Sequence, residues 1–192
     1  MEGWRDYLKT LVAACDGLMV TSPGGALSAS DGLRRWVEQT RSVHTRGQNV
    51  YLIGNGASAA MASHFAADAC KTAQLRASTF NDASLLTATA NDVSFEEVFA
   101  LPLRRLARPG DMLVSISSSG RSPNIVRALE AARSTSMEIV TLSGKGADNP
   151  SRALGDLNFY VPDQTYGVVE SAHTVILHYW IDHYVHVYGD SV

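Results

Sequence analysis

The sequence has 192 residues, 45% hydrophobic and 18% charged, with a formal net charge of −3, which fits one domain with a full core and is too little charge for a disordered chain. No basic cluster offers nucleic acid a surface. Two cysteines, Cys15 and Cys70, fit a reducing compartment, and neither the opening Met1-Glu2-Gly3-Trp4-Arg5-Asp6 nor any apolar run has the form of a signal peptide or membrane span, so the expectation is a soluble cytoplasmic protein.

In chain order, Trp4, Leu8, Leu11, Cys15 and Leu18 recur at steps of four and three, the stripe of a helix packed along another. Thr21-Ser22-Pro23-Gly24-Gly25 ends that helix. A second is predicted over about 30–44, with Leu33, Trp36, Val37 and Thr40 inward. The two helices either pack subunits together or cover one sheet face. Residues 49–53 read as a first parallel strand, followed by Gly54-Asn55-Gly56-Ala57-Ser58 and an Ala-rich helix over about 58–71. Ser58 either caps that helix, touches a ligand, or does both. A short strand at 77–80 leads to a helix opened by Asn81-Asp82 and ended at Asn91-Asp92. A further helix is capped by Ser94, with Glu97 three residues on.

The stretch 112–124 organises the rest. Met112 to Ile116 reads as a strand buried on both faces. It runs into Ser117-Ser118-Ser119-Gly120-Arg121-Ser122-Pro123-Asn124, with Ser122 placed to cap a helix and Pro123 at its first position. A helix start carries unpaired N–H groups and a positive dipole end, which suits a phosphate dianion. The loop holds no Lys, so it is not a nucleotide P-loop. Strands at 138–142 and 157–161 and a helix over about 167–188 complete an α/β three-layer sandwich with a five-stranded parallel sheet. Both serine- and glycine-bearing turns lie at carboxyl ends of strands, where such sheets bind ligands, so one anion can touch both.

Ionisable residues form a second group. His64 and Asp68 share a helix face at i,i+4, and Glu170 and His178 are about 80° apart on the final helix. Together they either form a nitrogen and oxygen site for zinc or a similar divalent ion, or sit on solvated faces. His173, His178 and His183 rotate about 140° per step and cannot all face one site, so at least one is a packing or surface histidine. His44 and Asp182 read as structural or exposed.

These blocks resemble the sugar isomerase (SIS) domain family and, within it, the phosphoheptose isomerases. The landmarks are 54–58, His64-Phe65-Ala66-Ala67-Asp68, Thr89-Ala90-Asn91-Asp92, 116–124, Thr141-Leu142-Ser143-Gly144-Lys145, and Glu170-Ser171-Ala172-His173 with His178. The resemblance implies a single SIS domain over 1–192 with flavodoxin-like winding, 1–46 being a helical extension for subunit packing in a homotetramer. It implies an aldose–ketose isomerase that converts sedoheptulose 7-phosphate through an enediol. Asn55, Gly56, Ser58, Ser117, Ser118, Ser119 and Ser122 would hold the sugar phosphate and Asp92 the sugar hydroxyls. His64, Asp68, Glu170 and His178 would hold zinc, with Asp68 as base, His178 as acid and Glu170 as reserve base. Asp68 stands where this branch usually has Glu, Glu170 where it has Gln, and Val168 where it has Arg. Non-catalytic phosphosugar sensing, an initiator-associating role and isomerisation of another phosphosugar are the alternatives.

Overall fold

The structure, a computed structural model, describes residues 3–189; Met1, Glu2 and residues 190–192 of the expected 1–192 domain lie outside the described residues. Helix α1 (Trp4–Asp16) leads into a hairpin, β1 (Met19–Ser22) and β2 (Gly25–Leu27), and then α2 (Ala29–Thr45). Next come β3 (Asn49–Gly54), α3 (Ala57–Lys71), β4 (Arg76–Thr79) and α4 (Ala83–Asp92). A 3₁₀ turn, Phe95–Glu97, precedes α5 (Ala100–Leu106), β5 (Met112–Ser117) and α6 (Pro123–Ser134). The chain closes with β6 (Glu138–Gly144), α7 (Pro150–Leu154), β7 (Leu157–Val161) and α8 (Tyr166–Tyr188).

The sheet is mixed and seven-stranded, in the order β2-β1-β7-β6-β5-β3-β4, rather than the expected five-stranded parallel sheet. Its five parallel strands are those expected, and their order is that of flavodoxin-like winding. The additions are β1 and β2, antiparallel to each other, with β1 antiparallel to β7. Met19–Ser22 and Gly25–Leu27 are too short for a period-two pattern, and the turn between them reads equally as a helix stop. Leu18 therefore lies beyond α1, and Trp4 and Leu8 of the expected inward stripe are exposed, Trp4 by 71%. The helix expected after Ser94 divides into the 3₁₀ turn and α5, and Ser94 makes no side-chain cap bond.

Side chains alternate across the strands and build two cores. Val50, Leu52, Val114, Leu142 and Phe159 face α2, α3 and α8, whereas Tyr51, Ile53, Leu113 and Ile139 face α5 and α6. Trp36 of α2 stacks on Trp180 of α8, with centroids 4.4 Å apart and planes within 5°. The Trp180 indole N–H donates to the Thr40 hydroxyl (2.9 Å), which donates to the Trp36 carbonyl (2.8 Å). The second leading helix thus covers a sheet face within its own chain. No helix among the described residues is long and apolar enough to cross a membrane.

Of the α8 histidines, His173 is the packing residue: it is fully buried, and its Nε2–H donates to the Ser143 carbonyl at 3.2 Å. Burial pushes its imidazole from an ordinary 6.5 down to about 4, opposed weakly by that bond. The unfolded chain takes a proton at this residue near pH 6.5, and the folded chain only near pH 4. Stability from this source is therefore complete above pH 6.5 and lost as pH falls toward 4, by about 3 kcal/mol. Denaturant unfolding followed across that window should show the decline. His173→Gln, which keeps a donor for Ser143 but does not titrate, should flatten it.

Candidate functional site

Strand register brings the two turns together. β3 and β5 are neighbours, Gly54 lies opposite Ile116, and Ser117 lies opposite Ser143 of β6. The helices leaving the two strands take opposite faces: α3 packs into the core shared with α8, and α6 into the other. The crevice between them is the switch point of the sheet, where the strand order reverses. It holds a cavity of about 260 Å³ lined by Asn55, Gly56, Ala57, Ser58, Ile116, Ser117, Ser118, Ser119, Ser122, Tyr166 and Glu170. Seven of the eight residues expected to bind the substrate are in this lining, and Asp92, expected at the sugar hydroxyls, is not. Asp92 ends α4, is exposed, and accepts from the Asn91 amide at 2.8 Å.

The serines are not spent on capping. Ser58 lies inside α3 with Gly56 at the cap position, so it is a buried residue of the cavity lining rather than the helix cap. Ser122 is at the cap position of α6 but makes no side-chain cap bond. The Ser119 hydroxyl accepts from the Arg121 N–H at 3.2 Å. The Ser118 hydroxyl is buried and has no hydrogen-bond partner. A buried hydroxyl left unpaired costs about 1–3 kcal/mol, which a ligand oxygen would recover.

Two contacts fix the shape of the cradle. The Asn55 and Asn124 side chains exchange amide hydrogen bonds in both directions, each 2.9 Å, across the two turns. The amide of Asn55, expected to touch ligand, is thus used to join the lips. Gly120 turns at φ +61°, and a Cβ there would lie 2.1 Å from Asn149 Oδ1. Its carbonyl accepts from the Ser151 N–H and hydroxyl. That anchor depends on α7, which the loop composition of 143–150 concealed.

The ionisable group lies farther along α3 and α8, which pack together. His64 Nε2 is 3.3 Å from Asp68 Oδ2, and the His64 and His178 rings are edge to face with centroids 5.7 Å apart. Glu170 lines the cavity, about 12 Å along α8 from His178 by helical rise. Two imidazoles and two carboxylates are a suitable donor set for zinc. As they stand, the described residues include no group of three or more His, Cys, Asp or Glu that could hold a metal ion. The departure at Val168 falls on a fully buried position, facing the core. Sequence reasoning missed Tyr166, Asn124 and Lys145, whose ammonium lies 3.2 Å from the centre of the Tyr166 ring.

Comparison with known proteins points the same way. Residues 27–144 match the family model described as the SIS domain. The phosphoheptose isomerase of Shewanella denitrificans is 33% identical over 164 residues, covering 79% of this chain and 84% of that protein. That of Shewanella oneidensis is 36% identical over 140 residues, covering 69% and 71%. Among solved structures, the phosphoheptose isomerase of Neisseria gonorrhoeae superposes with a TM-score of 0.83 at 28% identity, covering 98% of this chain and 95% of that one. The Francisella tularensis protein of the same name gives 0.82 at 23% identity, covering 94% and 93%, and shares the fold.

The amide pair makes the cradle testable by itself. Asn124→Ala leaves the Asn55 amide without its partner. It should destabilise the fold by about 1–3 kcal/mol in denaturant unfolding. It should also weaken binding of inorganic phosphate by calorimetry, which a purely structural loss elsewhere would leave unchanged.

Proposed function

The chain belongs to the SIS-domain family, among the phosphoheptose isomerases, and from that premise we propose that it converts sedoheptulose 7-phosphate to glycero-manno-heptose 7-phosphate through an enediol. The observation that carries the phosphosugar reading is the unpartnered Ser118 hydroxyl in a cavity walled by four further serines. Hydroxyls and the amide-rich starts of α3 and α6 hold a dianion by directed hydrogen bonds. Holding the phosphate fixes the far end of the sugar against α3 and α8, and such positioning lowers a barrier by several kcal/mol.

Isomerisation moves a proton between neighbouring carbons and needs a base, an acid and a group to steady the developing oxyanion. We assign the base to Asp68, with the His64 contact orienting its carboxylate, and the acid to His178. Glu170, which lines the cavity, is the reserve base. A divalent ion, zinc by its donor preference, would be held by His64, Asp68, Glu170 and His178; a carboxylate is not a tight ligand and a free base at once, so Asp68 serves in one of these two roles. When bound, such an ion polarises a carbonyl.

We also propose that the protein is cytoplasmic, with Cys15 and Cys70 as free thiols, and that it assembles as a homotetramer. Trp4, Leu8 and Val12 of α1 and Val175 and Tyr179 of α8 are large apolar residues left exposed by one chain. His64 and His178 are exposed as well, and a neighbouring subunit would exclude the water that screens them. Light scattering on the purified chain should give four times its mass.

Turnover of sedoheptulose 7-phosphate by the wild type is the direct test. Asp68→Asn and His178→Ala should each lose about 10²- to 10⁴-fold in kcat. Full activity in both Asp68→Asn and His178→Ala would remove the assignment. Elemental analysis should find zinc in the wild type and not in His64→Ala, and zinc should raise the melting temperature of the wild type alone.

A further inference from the structure

Lys145 adopts a backbone conformation that its neighbours in sequence would take more readily. Its φ is +60°, in the left-handed region, and it lies between Gly144 and Gly146. A residue with a Cβ is strained in that conformation, and glycine is not. Gly144 is needed for packing, since a Cβ there would lie 2.6 Å from a Val169 methyl. The left-handed position itself carries lysine. Three bonds hold it there: its N–H donates to the Asp163 carbonyl (3.0 Å), and its carbonyl accepts from the Tyr160 hydroxyl (2.7 Å) and the Gln164 amide (3.0 Å). Non-glycine residues over-determined in this way concentrate at ligand clamps.

The side chain explains the choice. The Lys145 ammonium rests 3.2 Å from the centre of the Tyr166 ring, and Tyr166 lines the serine cavity. That lining contains one carboxylate, Glu170, and no cation. A dianion entering it meets hydroxyls, amides and a like charge. Arg121 at the same turn is paired with Asp148 at 2.6 Å. Among the described residues no carboxylate lies within ion-pair distance of Lys145, whose cation is held by an aromatic face alone. That hold is weaker than a hydrogen bond from an ammonium to an anion. The ring can store the cation, and a phosphate can draw it away.

We propose that Lys145 and Tyr166 form a substrate-binding pair, the Tyr166 ring presenting the Lys145 ammonium at the cradle mouth as the counter-charge for the bound phosphate. This rests on the phosphosugar reading above and adds a residue pair to it.

The test is calorimetric titration of the full chain with sedoheptulose 7-phosphate and with inorganic phosphate, run beside the isomerase assay. Lys145→Met should raise Kd and KM about tenfold, with kcat within about twofold, and should flatten the salt dependence of binding. Lys145→Arg should recover most of the affinity. Tyr166→Ala should follow Lys145→Met, and Tyr166→Phe should stay near wild type. Should Lys145→Met fail to fold, Lys145→Asn tolerates the left-handed backbone and carries the same expectation. Equal affinity for both ligands in wild type and a folded Lys145 variant would overturn the pair and leave the isomerase reading standing. Weakened phosphate binding in the variant, with no turnover by the wild type, would support the pair and overturn the isomerase reading. A wild type that binds neither ligand would overturn both.

Discussion

The reciprocal amide bonds between Asn55 and Asn124 are the contact on which the site depends. They tie the turn after β3 to the start of α6. Those two segments leave neighbouring strands toward opposite faces of the sheet, so past the end of the strand ladder it is the amide exchange that ties them. An asparagine side chain offers a donor and an acceptor in one plane, and two such groups face to face satisfy each other without water. Asn124 is buried, which makes the exchange less open to competition from solvent. With the lips fixed, the serine hydroxyls of both turns converge on one space.

The site is divided along α3 and α8 into two chemistries. Near the sheet, neutral hydroxyls and amides dominate, and the only formal charge in the lining is the Glu170 carboxylate. Toward the middle of the helices, imidazoles and a second carboxylate cluster on an exposed ridge. The first region is preorganised by backbone and buried side chains. The second is held by side chains that are partly in water, His64 by 57%. Binding is therefore built into a single chain more completely than chemistry is; of the sequence departures, Asp68 lies on the exposed ridge, Glu170 in the cavity lining and Val168 in the core.

Much of this was legible in the sequence, because it is written in local signals. The five parallel strands are apolar runs between turn residues, and the cradle is a strand, a polar turn and a Pro-started helix in succession. What stayed hidden was either too short or too distant. The β1–β2 hairpin offers seven strand residues split by a turn, fewer than alternation needs to show itself. Asn124 reads as an ordinary first-turn residue, because its partner lies 69 positions away. Ser58 reads as a helix cap, because the positive φ of Gly56, which caps the helix two residues earlier, is not visible in composition. Lys145 looks like a solvated loop cation, since only the fold reveals its backbone angle and the ring beneath it.

The hairpin has a bearing on how copies of this chain can meet. A parallel sheet ending at β7 would leave a five-residue row of unpaired peptide groups open to another strand. Here β1 covers that row, and the new border is β2, a three-residue strand beginning with glycine. The opposite border, β4, is four residues long and opens with Arg76. Neither margin is long or apolar enough to seed a continuous sheet between molecules. Higher-order contacts are left to the helical surfaces, where they depend on side-chain fit rather than on backbone pairing that any extended peptide could imitate.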